Sequence, residues 1–186
     1  MEIKDDIFNN RDISEIVETA IVDNFAPVTF NRAFPDISDG FKEVTRRILY
    51  SIIQIGCDKE SSRQVKSAKI VGDVTGNLHP HSPDSVYGAI CGLAADYDIY
   101  PVFLKPMGNF GNSKRDSYAH YRYTETKASK FAEEVVFRDF NSNIIDKKPT
   151  ELMDGKTEPV WFSTRIPLIL LYGTSGLGVG FICDIP

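Results

Sequence analysis

The stretch Gly76–Ile90, GNLHPHSPDSVYGAI, constrains the fold more than any other part of the 186-residue chain. Gly76 ends one helix, and another has to begin a few residues later. Ser82 can accept from the first free N–H groups of that helix. Pro83 fits the first helical position, where its missing N–H costs nothing, and Asp84 suits the positive end of the helix dipole. A helix is therefore expected from Pro83 to about Ala95, preceded by one over about Gln64 to Val74. Two helices joined this way make a helix-turn-helix, whose second helix would enter a major groove, although such hairpins also occur in plain helical domains.

Upstream, Asp12 and Glu15 mark a helix start, and Ile13, Ile16, Val17, Ala20 and Ile21 keep helical spacing to about Phe25. NRAFPDISDG reads as a loop. Phe41, Val44, Ile48 and Ile52 form the apolar stripe of a further helix, whose Lys42 and Arg46 share another face, expected to be wet. Residues 54–63 read as a polar loop. Downstream, Ile99–Leu104 is strand-like, MGNFGN is a turn or wing, and Tyr118–Tyr123 is aromatic and irregular. A helix is expected from about Thr124 to Val136, with Ala128, Phe131, Ala132 and Val135 inward. The last fifty residues, with Pro149, Pro159 and Pro167, read as short strands and turns. The fold class expected is α+β, mainly helical.

Forty-two percent hydrophobic with 25% charged residues is a composition that folds. No apolar run reaches the roughly 18–20 residues of a membrane span. The N-terminus is acidic and lacks the apolar core of a signal peptide. Three cysteines, far apart and without CxxC, support neither a disulfide framework nor a zinc site. A cytoplasmic protein is expected. The net charge of −5 hides segregation: residues 42–69 carry seven bases and three acids, and 105–130 six bases and two acids. Two blocks of +4 in an acidic chain suggest a focused anion site, or else two solvated faces.

His79 and His81 flank Pro80 with no third ligand at a standard spacing, so they suit phosphate contact or turn hydrogen bonding better than a metal. GTSGLGVG (173–180) lacks the Gly-Lys-Ser/Thr ending of a phosphate loop and suits close backbone packing or a turn. Tyr118, Tyr121 and Tyr123 sit beside Arg115, His120 and Arg122. A tyrosine can attack a phosphodiester if its phenol is helped to ionise and if cations stabilise the charge growing on the phosphoryl oxygens. The alternative is a stacked aromatic edge, and chemistry alone does not choose among the three tyrosines.

Five segments together resemble the breakage-reunion subunit of type IIA DNA topoisomerases, the A subunit of bacterial gyrase and its topoisomerase IV counterpart. They are RAFPDISDGFKEVTRRILY (32–50), KSAKIVGDVTGNLHPHSPDSVY (66–87), GNFGN (108–112), YRYTET (121–126) and IPLILLYGTSGLGVGFICDIP (166–186), in the family's order. The resemblance implies an N-terminal arm or helix over 1–30, a winged-helix DNA-cleavage domain over 31–140, and the beginning of a β-containing tower domain over 141–186. It implies an ATP-dependent type II topoisomerase that forms a 5′-phosphotyrosyl intermediate for double-strand passage. Tyr123 would be the nucleophile, Arg122 would stabilise the transition state, and Arg32 and His81 would lie near the scissile phosphate. Lys42, Arg46, Arg47, His79, Asp84 and Ser85 would contact DNA, and Leu177 would wedge between base pairs. Mg²⁺ and ATP would be bound by a gyrase B-like ATPase/Toprim partner subunit, with no metal on this chain. Double-stranded DNA and a second copy of the subunit complete the expected partners.

The departures are specific. Ser82-Pro83-Asp84 follows His79-Pro80-His81 where the family usually has Gly-Asp, Met107 replaces a glutamine, and Gly88 stands where an acid is common. The chain stops at the family's Ile-Pro-Pro, before most of the tower, the coiled coil and the exit gate. A partial sequence or split subunit, inactive without its partner and those parts, is the expectation. The alternative is a non-catalytic DNA-binding module or decoy from the same subunit.

Overall fold

The computed structural model describes residues 12–114, 116–140, 143–150, 152, 155–178 and 181–186. Helix α1 (Ile13–Ala33) starts at Asp12, whose carboxylate accepts from the Ser14 N–H. It runs well past Phe25, through the start of the expected loop. Residues 26–33 lack an apolar stripe; what holds this end is tertiary packing, with Ala33 buried against the backbone of Gly176. Helix α2 (Glu43–Ile55) ends on Gly56 at φ 80°, a left-handed conformation that glycine adopts without a Cβ clash.

A two-residue strand, β1 (Val65–Lys66), precedes helix α3 (Ser67–Asn77), and helix α4 (Pro83–Ala94) follows the turn. Pro83 and Asp84 occupy the first turn as expected. Ser82 is the N-cap residue, but its side chain makes no capping bond; its carbonyl accepts from Ser85 and Val86 instead. The strand expected over Ile99–Leu104 lies over Leu104–Met107 (β2). The helix expected from Thr124 is a correction of kind: Glu125–Ala128 forms β3, with Thr126 and Ala128 buried and Glu125 and Lys127 half-buried. That period-two burial belongs to a strand. Ser129 then caps helix α5 (Lys130–Ala132), which runs on into a π-helical turn over Glu133–Phe137.

β3 lies between β1 and β2 in an antiparallel sheet, with Thr126 opposite both Val65 and Pro106. Two hairpins follow: β4 (Lys147–Pro149) with β5 (Thr157–Pro159), and, after helix α6 (Leu168–Tyr172), β6 (Thr174–Gly178) with β7 (Phe181–Ile185). The fold is mixed helix and sheet. Its core joins Ile48, Leu49 and Ile52 of α2 to Ile70, Val74, Val86, Ile90, Leu104, Ala128 and Phe162. Burying each of the larger chains in this set contributes about 1.5–3 kcal/mol relative to leaving it in water.

Candidate nucleic-acid interface

The helix face expected to be wet is not. Arg46 and Arg47 are buried, and each is held by a carboxylate from outside its own helix. Asp39, in the loop before α2, accepts from Arg46 Nε (2.7 Å) and Nη2 (3.0 Å) and from the backbone N–H groups of Phe41 (2.9 Å) and Phe162 (3.0 Å). Arg47 donates through Nε (2.8 Å) and Nη2 (2.9 Å) to Glu158 of β5. Glu43 lies 3.3 Å from the same guanidinium and also pairs with Lys148. Burial alone would raise the Glu43 carboxyl; the Lys148 hydrogen bond and the Arg47 charge outweigh it and hold the group below the usual carboxylate range.

Arg47 also reaches the turn between α3 and α4. Its Nη1 lies 2.7 Å from His79 Nδ1, and the His79 and His81 rings are 4.3 Å apart. His79 is half-buried, whereas His81, Asp84 and Ser85 are exposed at the start of α4. Arg47, His79 and His81 thus form one contiguous group.

A second group gathers around β6. Lys42 Nζ donates to the Ser175 carbonyl, and Gly176 lies so close to Ala33 that a Cβ would come within 2.2 Å of the Ala33 oxygen. The glycine run is therefore a strand that needs close backbone approach, as its composition suggests; Val179 and Gly180 lie outside the described residues. Leu177 protrudes, 78% exposed, and Arg32, also exposed, precedes Ala33 in the last turn of α1.

The third group holds the tyrosines. Tyr118 and Tyr121 pack edge-on against Tyr87, with ring centroids 5.3 and 5.6 Å away. Tyr123 does not; it is 66% exposed, and the Arg122 guanidinium carbon sits 5.0 Å from its ring centre. Arg115 lies outside the described residues. The backbone beneath Tyr123 is fixed by a buried hydroxyl chain. Thr124 Oγ1 donates to Ser67 Oγ (2.8 Å) at the start of α3, Tyr87 Oη lies 2.9 Å from Thr124 Oγ1, and Tyr87 Oη donates to the Ala119 carbonyl (2.7 Å). Ser67 N–H also donates to the Thr124 carbonyl. Burial, outweighing the Thr124 hydrogen bond, pushes the Tyr87 phenol up to about 12. Tyr87 is thus a fixed neutral donor. Among the described residues no hydrogen bond or ion pair joins the Arg122 or Tyr123 side chains to the other two groups.

Sequence reasoning missed Asp39, Glu158, Thr124 and Tyr87, which position the residues it did find. The only local signal was the Thr124–Thr126 alternation. Among the described residues no three His, Cys, Asp or Glu side chains cluster to hold a metal, and no helix is long and apolar enough to cross a membrane.

The family model for the A subunit of DNA gyrase and topoisomerase IV matches residues 32–186. The DNA gyrase A subunit of Clostridium acetobutylicum is 43% identical over 176 residues, 94% of this chain and 21% of the relative. That of Treponema pallidum is 41% identical over 171 residues, 91% of this chain and 20% of the relative. That of Staphylococcus aureus is 37% identical over all 186 residues, 20% of the relative. The chain spans about a fifth of the length of these curated relatives.

Proposed function

The chain belongs to the family of DNA gyrase and topoisomerase IV A subunits, and from that premise we propose that it is the strand-cleaving and rejoining piece of a type IIA DNA topoisomerase, with Tyr123 as nucleophile. The observation that carries the assignment is the difference among three neighbouring tyrosines. Tyr118 and Tyr121 pack on Tyr87, while Tyr123 presents an exposed phenol beside a guanidinium. Its backbone is fixed from below by Thr124, Ser67 and Tyr87, so reaction would need little reorganisation.

The Tyr123 phenol gives up its proton to solvent as its oxygen attacks a backbone phosphorus, the new O–P bond forms as the 3′-oxygen leaves and takes up a proton in return, and the 5′-phosphate stays on the tyrosine. Arg122, adjacent in sequence, supplies positive charge where the phosphoryl oxygens gain negative charge. The same steps in reverse reseal the strand, because the phosphotyrosyl ester retains the energy of the bond broken. Arg32 and His81 are assigned to the phosphate, and Lys42, His79, Asp84 and Ser85 to the flanking backbone. Leu177 is assigned to a base step. Arg46 and Arg47, expected as DNA contacts, are buried and ion-paired, which gives them a supporting role: they hold the helix and turn that carry the exposed members.

On this reading residues 1–30 form an arm, 31–140 a winged-helix cleavage domain with α4 as recognition helix, and 141–186 the start of the tower. The packing of α3, its turn and α4 beside a three-stranded antiparallel sheet supports the winged-helix assignment. Mg²⁺ and ATP are assigned to a gyrase B-like partner subunit, and two copies of the full subunit would act on two strands.

The test is a covalent adduct assay with the partner subunit, Mg²⁺ and duplex, with the chain joined to the remainder of its subunit. Tyr123→Phe should abolish the adduct while leaving duplex binding within about twofold, and Tyr118→Phe and Tyr121→Phe should keep it. An adduct that survives Tyr123→Phe refutes the assignment. Duplex binding without an adduct in the parent protein selects the non-catalytic module instead.

A further inference from the structure

Arginine has five N–H donors and no acceptor, and it stays protonated in proteins. The 2.7 Å contact between Arg47 Nη1 and His79 Nδ1 therefore requires a lone pair on Nδ1. A neutral imidazole with its lone pair on Nδ1 carries its proton on Nε2, at the opposite edge of the ring. Arg47 has little freedom to turn away: Glu158 takes its Nε and Nη2 in a two-pronged pair, and both residues are 2% exposed. The orientation of one histidine in the α3–α4 turn is thus set by a carboxylate on β5, through a guanidinium on α2.

We infer that Glu158 and Arg47 are positioning residues that hold His79 as the neutral Nε2–H tautomer, so that it meets the duplex as a hydrogen-bond donor to phosphate and not as a base. The inference rests on the DNA-cleavage reading for its ligand, but not for the tautomer. A phosphate brought to the ring edge away from Arg47 finds an N–H; a lone pair there would repel it. His81 is held by this arrangement too, since its N–H donates to the His79 carbonyl (2.8 Å) and its ring lies against that of His79. The two histidines of one turn are thereby given different surroundings: His79 half-buried and fixed by Arg47, His81 exposed. The charged and titratable groups linked to the Arg47–His79 contact include Glu43 of α2, Lys148 of β4, Glu158 of β5 and His81. Lys156 reaches the neighbouring Asn77 at the end of α3.

Histidine-selective ¹⁵N NMR on the whole chain tests this, and only three histidines need assigning. In the parent protein near neutral pH, His79 should show an unprotonated Nδ1 and a proton-bearing Nε2, without the averaging of a free imidazole. Because Arg47→Gln alone leaves buried Glu158 with Lys148 as its one remaining cation among the described residues, the informative variant is Arg47→Gln with Glu158→Gln, which keeps the net charge. Glutamine is too short to replace Nη1 as an obligate donor to Nδ1, so the two His79 nitrogens should move toward averaged positions and the ring should gain its second proton at higher pH. A proton on Nδ1 or a cationic His79 in the parent, or an unchanged tautomer in the folded double variant, overturns the inference. Adding a short duplex should shift Nε2 far more than Nδ1; if the duplex binds and Nε2 does not respond, the donor role is refuted while the topoisomerase reading stands. If no duplex binds, it is that reading which fails, and the tautomer measured in the free chain is judged separately.

Discussion

Replacing Asp39 by alanine should cost this chain a large share of its stability. The carboxylate serves four donors: two from Arg46 and the backbone N–H groups of Phe41 and Phe162. Breaking a buried ion pair from one side typically costs about 3–5 kcal/mol, because the other charge stays buried without its partner. Two orphaned N–H groups add up to about 1–3 kcal/mol each where water cannot reach them. These costs overlap, and about 4 kcal/mol is a conservative sum, against a total of about 5–15 kcal/mol for an ordinary domain. With a urea slope of about 2 kcal/mol per molar, the unfolding midpoint should fall by roughly 2 M. Trp161, the single tryptophan and the neighbour of Phe162, reports the transition by fluorescence. Asp36→Ala is the control: its carboxylate accepts one exposed backbone N–H, from Ser38, and should cost under about 1 kcal/mol. The double change Asp39→Asn with Arg46→Gln, which removes both charges, should recover at least about 2 kcal/mol of the loss. A midpoint for Asp39→Ala within about 0.3 M of the parent would show that Arg46 is not held as its burial implies.

Three further outcomes follow from the same geometry. Lys42→Ala should lower the slope of log affinity for duplex against log salt by about 0.9, the value of one phosphate contact, without moving the urea midpoint; Arg46→Ala should do the reverse. Thr124→Val, which keeps the shape but deprives Ser67 and Tyr87 of their shared hydroxyl, should cost about 1–3 kcal/mol and slow adduct formation more than duplex binding. Tyr87 and Tyr172 are both pushed by burial to about 12, above the ordinary value of about 10. The folded chain therefore holds protons that the unfolded chain gives up, so this contribution to stability is complete below about pH 10 and is lost as the pH rises from 10 through 12. Alkaline unfolding should steepen in that window, and Tyr87→Phe should reduce the steepening.

Helix α4 was legible because its start is written in local chemistry: Pro83 at the first position and Asp84 at the dipole's positive end need no tertiary partner. β3 was not, because Thr124–Val136 contains lysines and glutamates at spacings a helix also accepts. What makes Glu125–Ala128 a strand is its pairing with β1 and β2, and those partners lie far away in sequence. The site divides in the same way. The three tyrosines differ little in local sequence, and what separates Tyr123 from Tyr118 and Tyr121 is Tyr87, which reaches the latter two from helix α4. Arg47 and Glu158 are 111 residues apart, so no spacing rule could have paired them.

Charge counting along the chain misled for a related reason. The block 42–69 carries +4 in sequence, but Arg46 is neutralised by Asp39 and Arg47 by Glu158, acids that lie outside that block. Lys66 pairs with Glu125 of the other basic block, and Lys105 of that block lies 3.8 Å from Glu60 of this one. Close ion pairs project little field beyond a Debye length, whereas exposed unpaired cations project most of it. Lys59, Arg63, Lys69, Lys114, Arg122 and Lys130 carry no ion pair among the described residues. Part of the apparent anion site is therefore scaffold, in which buried pairs fix the helix and turn bearing Lys42, His79 and His81. The positive charge left for an anion includes the guanidinium beside Tyr123, where a phosphoryl group in transfer would need it.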